Sequence, residues 1–134
     1  MAAVLPVSKQ PIVAQILNAT GTNHVTLVDN SGGTKAVRVD SLNMVSTDSA
    51  AKDIQLSILA SAVNYTVGTV TIAIGAGNSG DKARVRVLDQ VSVQDSDGIP
   101  CIWVGAGHKL QANAVATLTA DKIVHITGAY RKFE

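Results

Sequence analysis

Between Val63 and Val93 the chain reads VNYTVGTVTIAIGAGNSGDKARVRVLDQVSV, two alternating runs around a glycine loop. No other feature narrows the possible folds as much. Val70, Ile72 and Ile74 share one parity. Beyond the loop, Ala83, Val85, Val87, Val91 and Val93 fall on one face, and Lys82, Arg84, Arg86, Gln90 and Ser92 on the other. β-branched residues at period two predict strands and resist a helix. Tyr65 and Val67 have the parity opposite to Val70, so the phase changes at Gly68 and predicts a bulge. Asp89 interrupts the apolar row and marks a bend.

The loop spells G-x-G-x-x-G from Gly75 to Gly80. A dinucleotide fingerprint also needs a helix immediately after it, because the pyrophosphate sits on the helix N-terminus. The residues that follow, DKARVRVLDQVSV, alternate as a strand. The loop is therefore read as a hairpin tip, and no cofactor is expected.

The rest of the chain repeats the pattern. Ile12 to Leu17 is apolar on both faces. His24 to Asp29 and Lys35 to Val39 flank the turn signal Asn30-Ser-Gly-Gly33 and read as a β-hairpin. Ser41 to Ala62 is ambiguous: Ala51, Ile54, Ile58 and Ala62 have helical spacing, while Ile54, Leu56 and Ile58 alternate as a strand. The surrounding β pattern favours strand. Asp95-Ser-Asp-Gly-Ile-Pro100 is a turn, and Ile99 to Val104 is apolar on both faces, as in a central strand. Ala114 to Thr119 alternates, Asp121-Lys122 reverses the chain, and Ile123 to Tyr130 runs back. The expected fold is all-β, a jelly roll or β-sandwich of about eight to nine short antiparallel strands. Residues 12–134 form one β domain. Residues 1–11 carry Pro6 and Pro11, which remove ladder donors, and are read as an N-terminal arm.

Composition sets the surface. Charged residues are 16% of the 134, against about 25% in ordinary soluble domains. Aromatics are 3%, so the core must be Val, Ile, Leu and Ala. So little charge leaves apolar surface to hide, and a permanent homo-oligomeric interface is expected. A net charge of +1 argues against a globally basic nucleic-acid binder. Cys101 is the only cysteine, so no internal disulfide forms. No apolar run reaches the roughly 20 residues that span a bilayer, so no membrane partner is expected. MAAVLPVSKQPIV lacks a basic n-region and a long apolar core, so synthesis in a reducing cytoplasm is expected.

Few residues suggest chemistry. His24, His108 and His125 show no paired-ligand spacing, and Asp95-Ser-Asp97-Gly98 lacks the frame of a calcium loop, so no metal is expected. No G-x-S-x-G elbow exists, Cys101 lies in an apolar strand, and the aspartates sit at turns and strand margins without signs of burial. An enzyme is not expected. Candidate interaction residues are Val4, Leu5 and Val7 on the arm, the basic ribbon Lys82, Arg84 and Arg86, and Trp103. The ribbon suits an acidic partner surface or a nucleic-acid backbone, or is a simple solvated strand face; without an aromatic platform beside it, nucleic acid is not the expected partner. The apolar neighbours of Trp103 place it in the core or in a subunit interface.

The runs GTVTIAIGAGNSGDKARVRVLDQVSV and GIPCIWVGAGHKLQANAVATLTADKIVHITGAY resemble tailed-bacteriophage capsid decoration (cement) proteins with a small jelly roll. The resemblance covers residues 65–130 and is one of texture: Ala/Gly/Val/Thr-rich strands, glycine loops, few aromatics and a closing "ITGAY" strand. No functional residue is carried over. It implies a homotrimer formed from jelly-roll edges around a threefold axis. It also implies the major capsid protein as partner, the capsid surface of the virion as location, and an arm reaching to neighbours. The alternatives are another phage structural component (tail, head-tail or fibre domain) or a carbohydrate-binding β-sandwich. A small β-fold enzyme is a third class.

Overall fold

The computed structural model describes residues 6–78, 82–91, 93, 94 and 98–133. Ten strand segments are present among them: β1 (Pro6–Leu17), β2 (Val25–Asp29), β3 (Val37–Ser46), β4 (Lys52–Ala60), β5 (Val63–Ile72), β6 (Val85–Arg86), β7 (Val93–Gln94), β8 (Pro100–Val104), β9 (Lys109–Ala114) and β10 (Ile123–Phe133). Two 3₁₀ turns, Asn18–Thr20 and Val87–Asp89, complete the set.

The eight longer strands pair in a nested way: β1 with β10, β2 with β9, β3 with β8, and β4 with β5, all antiparallel. This is one long two-stranded ribbon that turns at Ser61–Ala62. Wrapping the ribbon on itself brings β10 beside β3 and β9 beside β4. The result is two sheets, β1-β10-β3-β8-β7 with β6 attached to β3, and β2-β9-β4-β5. That order is a jelly roll, in which a folded ribbon forms both faces of a sandwich. The all-β expectation holds.

Alternation explains which side chains fill the space between the sheets. Along β3, Val37, Val39, Leu42 and Met44 are buried, and along β10 Val124 and Ile126 are. Ile54, Leu56, Val70, Ile72, Leu110, Ala112 and Ala114 face them from the second sheet. These aliphatic side chains form one cluster. Burying each larger one contributes about 1.5–3 kcal/mol before conformational entropy is charged against it.

The ambiguous region 46–62 contains no helix, as the surrounding β pattern favoured: β3 ends at Ser46 and β4 runs over Lys52–Ala60. Other local expectations are corrected. The proposed hairpin of His24–Asp29 with Lys35–Val39 does not exist, because β2 and β3 lie in different sheets. Asn30 explains the crossing. It is buried, its Nδ2 donates to the carbonyls of Lys35, Val104 and Gly105 at 3.0–3.1 Å, and its own carbonyl accepts from the N–H groups of Gly33 and Gly107. What reads as a hairpin turn is a buried clamp that ties its own loop to the one between β8 and β9.

The glycine loop also crosses between sheets, since β5 pairs with β4 while β6 pairs with β3. It is docked on the end of β3: Ser46 N–H donates to the Ala76 carbonyl at 2.9 Å, and Gly75 N–H to the Asp48 carbonyl at 3.2 Å. The strand predicted from residue 83 to 93 shrinks to Val85–Arg86 and a 3₁₀ turn. Val87 and Leu88 are both buried, and a strand would have sent one of them to solvent. The bend expected at Asp89 closes that turn. The alternation over residues 114–119 is likewise not a strand, as β9 ends at Ala114.

The bulge predicted at Gly68 falls one residue away. Leu56 pairs with Gly68 and Ser57 with Thr66, so Val67 is the extra residue. A Cβ on Gly68 would meet Val91 Cγ1 at 2.4 Å, so glycine is required for the segment after the 3₁₀ turn to cross there. Residues 6–11, within the expected arm, lie in β1 and pair with β10 from Phe133 to Ala129. β1 is an edge strand, the place in a sheet where proline is tolerated.

Candidate interaction surface

Two faces of the sandwich differ in chemistry. The outer face of the four-stranded sheet carries Asp53, Gln55, Gln111, Asn113, Thr69 and Thr71, with Thr71 Oγ1 donating to Asp53 Oδ1 across the β4–β5 pair at 2.7 Å. It is an ordinary solvated sheet face.

The outer face of the larger sheet is different. Its register places Trp103 opposite Arg38, Arg38 opposite Arg131, and Arg131 opposite Lys9, a row across four strands. Like charges placed opposite each other repel. A bulge relieves the repulsion. Ala129 pairs with Ser41 and Tyr130 with Val39, leaving Asp40 as the extra residue beside the two arginines. Arg38 Nε donates to Asp40 Oδ1 at 2.7 Å. Arg131 Nε forms a charge pair with Asp40 Oδ2. Asp40 and Arg38 are only 13% and 16% exposed, so these charges are fixed in place, unlike pairs at the rim. Gly128 makes the approach possible, since a Cβ there would sit 2.1 Å from the Ser41 carbonyl oxygen.

Trp103 is 45% exposed and stacks on Phe133 with ring centroids 5.8 Å apart. Of the two expected positions for Trp103, core or subunit interface, the core one is corrected: alternation in β8 turns Ile102 and Val104 inward and Trp103 out. Next to the pair is an open cavity of about 400 Å³ lined by Asp29, Thr34, Lys35, Lys132 and Phe133 among others. The Asp29 carboxyl there is held below its ordinary pKa by hydrogen bonds from the Ser31 hydroxyl and N–H.

Lys82, Arg84 and Arg86 are exposed but do not share one strand face. Arg86 lies opposite Asn43 and meets Asp89 at 3.4 Å, an exposed pair worth little. Arg84 borders a hollow with Asp40, Asn43 and Arg86, while Lys82 borders a separate apolar hollow. Val4 and Leu5 lie outside the described residues, as do Asp95 and Asp97, and the side chain of Val7 is not described.

Sequence reasoning missed Arg38, Asp40, Arg131 and Phe133. The signal was present as Arg38-x-Asp40 and Arg131-x-Phe133, but it needs the β3–β10 register to become one surface. It also missed a buried acid. Asp48 is 1% exposed and accepts from Thr119 N–H at 2.9 Å, Thr119 Oγ1 at 2.7 Å and Ala50 N–H at 2.9 Å. Burial alone would raise its pKa, but these hydrogen bonds outweigh burial and hold it below the ordinary value. Its partners are structural groups of the Ala50 and Thr119 loops, not a histidine. Among the described residues no group of three or more His, Cys, Asp or Glu is placed to hold a metal ion.

No protein-family model matches the chain, and no curated protein sequence matches it. Among solved structures, that of turnip yellow mosaic virus at 100 K is 17% identical with a TM-score of 0.42, over 97% of this chain and 94% of that one. At that score the likeness is coarse; the jelly-roll assignment comes from the strand order.

Proposed function

We propose that the chain is a non-enzymatic virion structural protein, a homotrimeric decoration (cement) protein that binds and stabilises the assembled head of a tailed phage. One observation carries the reading. The sandwich presents a fixed, mixed aromatic and ionic sheet face around Trp103, Phe133, Arg38, Asp40 and Arg131, while its buried acid is spent on tying loops. A broad face of this kind suits contact with another protein surface. The texture of residues 65–130 points to the decoration class. The partner in this reading is the major capsid protein, the location is the capsid surface, and synthesis takes place in the host cytoplasm. The segment before β1, with Val4 and Leu5, serves as an arm to a neighbouring subunit or capsomer.

The test is co-sedimentation with empty heads assembled from the major capsid protein of the same phage. Saturable binding and a higher temperature of head disruption are expected. Heads that neither retain the protein nor gain stability would reject the proposal.

A second reading is favoured by one observation. Trp103 is half exposed beside a polar cavity that has an aromatic wall, as in carbohydrate-binding sandwiches. Trp103 is the only tryptophan, so its emission reports on either ligand. Saturable quenching by oligosaccharides, without any change on adding heads, would favour the sugar binder.

A further inference from the structure

The four sheet edges are unequally protected. β1 carries Pro6, Lys9 and Pro11; β2 is five residues long and ends in Asp29; β7 has two residues. β5 is ten residues long, VNYTVGTVTI, with no proline and no charge. Natural sheets blunt exposed edges with such residues, or cover the edge. Among the described residues no strand pairs with the free edge of β5.

The β4–β5 hairpin also overhangs the sandwich. Val63 lies opposite Ala60 and Tyr65 opposite Ile58, on the side that packs on the core further along, at Leu56 and Val70. The segment at Val91 crosses at Gly68, and beyond that point residues 63–67 are all exposed, with Tyr65 at 58% and Val63 at 48%. At the tip, Ser61 and Ala62 have φ of 50° and 64°, the conformation of a tight hairpin turn that usually employs Asn-Gly.

At the opposite end of β5 is a complementary feature. An open hollow of about 500 Å³ is lined by Ala51, Ala73, Ile74, Ala76, Lys82 and Ala83. Small alanines leave room for large side chains, and the hairpin offers a tyrosine and a valine. The hairpin carries no charge that would be buried unpaired, and Lys82 on the hollow's lining gives a cation for the tyrosine ring. Knob and hollow are nine residues apart on one strand, about 30 Å. A knob at one end and a hollow at the other make a head-to-tail contact, which closes into a ring when the rotation per subunit allows it.

We infer that the hollow at Ala51, Ala73 and Ile74 receives the β4–β5 hairpin of a second copy of this chain, with Tyr65 and Val63 as the inserted side chains. Three such contacts close the trimer. The inference rests on the homotrimer of the proposed function and names its contact.

Light scattering on the full chain comes first, followed by oxidation of a Val63→Cys/Ala73→Cys double variant. Cys101 is buried and does not compete. Wild type is expected at three times 13.8 kDa. The double variant is expected to yield covalent dimers and trimers on a non-reducing gel, and neither single variant to do so. Tyr65→Lys should fall to one-third of the wild-type mass with an unchanged circular dichroism spectrum. Wild type at one-chain mass would overturn both this contact and the trimer. A three-chain wild type that neither cross-links in the double variant nor dissociates with Tyr65→Lys would overturn the contact alone.

Discussion

Asp48 holds three chain segments together. Its carboxylate takes the Ala50 and Thr119 donors, its carbonyl takes Gly75 N–H, and its own N–H donates to Ser46 Oγ at 3.0 Å. The two carboxylate oxygens receive different donors, Oδ1 from Ala50 N–H and the Thr119 hydroxyl, Oδ2 from Thr119 N–H. An asparagine must therefore point an N–H at another N–H or at a donor hydroxyl. Asp48→Asn is expected to cost about 2 kcal/mol or more at neutral pH, read from urea unfolding. The pH dependence has a definite sign. A carboxyl whose folded pKa is lowered adds stability that is complete above the unfolded pKa and disappears as pH falls through the folded one. Wild type should then lose stability below about pH 4, where the unfolded carboxyl begins to protonate. The gap between wild type and Asp48→Asn should narrow over the same range. A constant gap down to acid pH would remove the ionised carboxylate from the account.

At the scale of elements, the stretch from Val85 to Asp89 separates pattern from packing. Parity puts Leu88 on the same outward face as Lys82, Arg84 and Arg86, where a lysine would be harmless. The 3₁₀ turn instead leaves Leu88 6% exposed next to Val87 at 0%. Leu88→Lys is expected to cost about 3 kcal/mol or more in thermal unfolding, from lost burial and a desolvated charge. Arg86→Leu, by contrast, should lie within about 0.5 kcal/mol of wild type. Equal tolerance at both sites would restore the strand. The same contrast shows what could be read from the chain alone. β2, β8 and β10 were legible because apolar or alternating runs mark them, whereas β4 lay in the stretch 41–62, where helical and strand spacings both fit. Partners were not, since pairing depends on which loops cross between sheets. Asn30 and Asp48 set two of those crossings, and their buried hydrogen bonds leave no trace in hydropathy. The Arg38–Asp40–Arg131 cluster was hidden for a related reason: it is made by a bulge and a register that join residues more than ninety positions apart.

For the whole molecule, the decisive quantity is the number of contacts made at once. In the proposed cement role, a 13.8 kDa sandwich with one aromatic and ionic face can make only a modest single contact with a shell. Affinity built from one such face lies far below that of three faces held in fixed geometry, because the second and third contacts form at high effective concentration. If the β4–β5 hairpin closes the trimer, the surface that joins the copies is separate from the surface that touches the shell. Tyr65 lies at the hairpin, while Trp103 and Phe133 stack on the outer face of the other sheet. A monomeric Tyr65→Lys chain should therefore keep an intact shell-binding face and lose only its multivalency. Titration of that variant onto empty heads should give an apparent affinity at least about 100-fold weaker than the trimer. A Trp103→Ala trimer should weaken as well, but with its mass unchanged. Monomer and trimer binding the heads equally well would mean that the shell contact is strong in one copy, and avidity would no longer be the reason for a trimer.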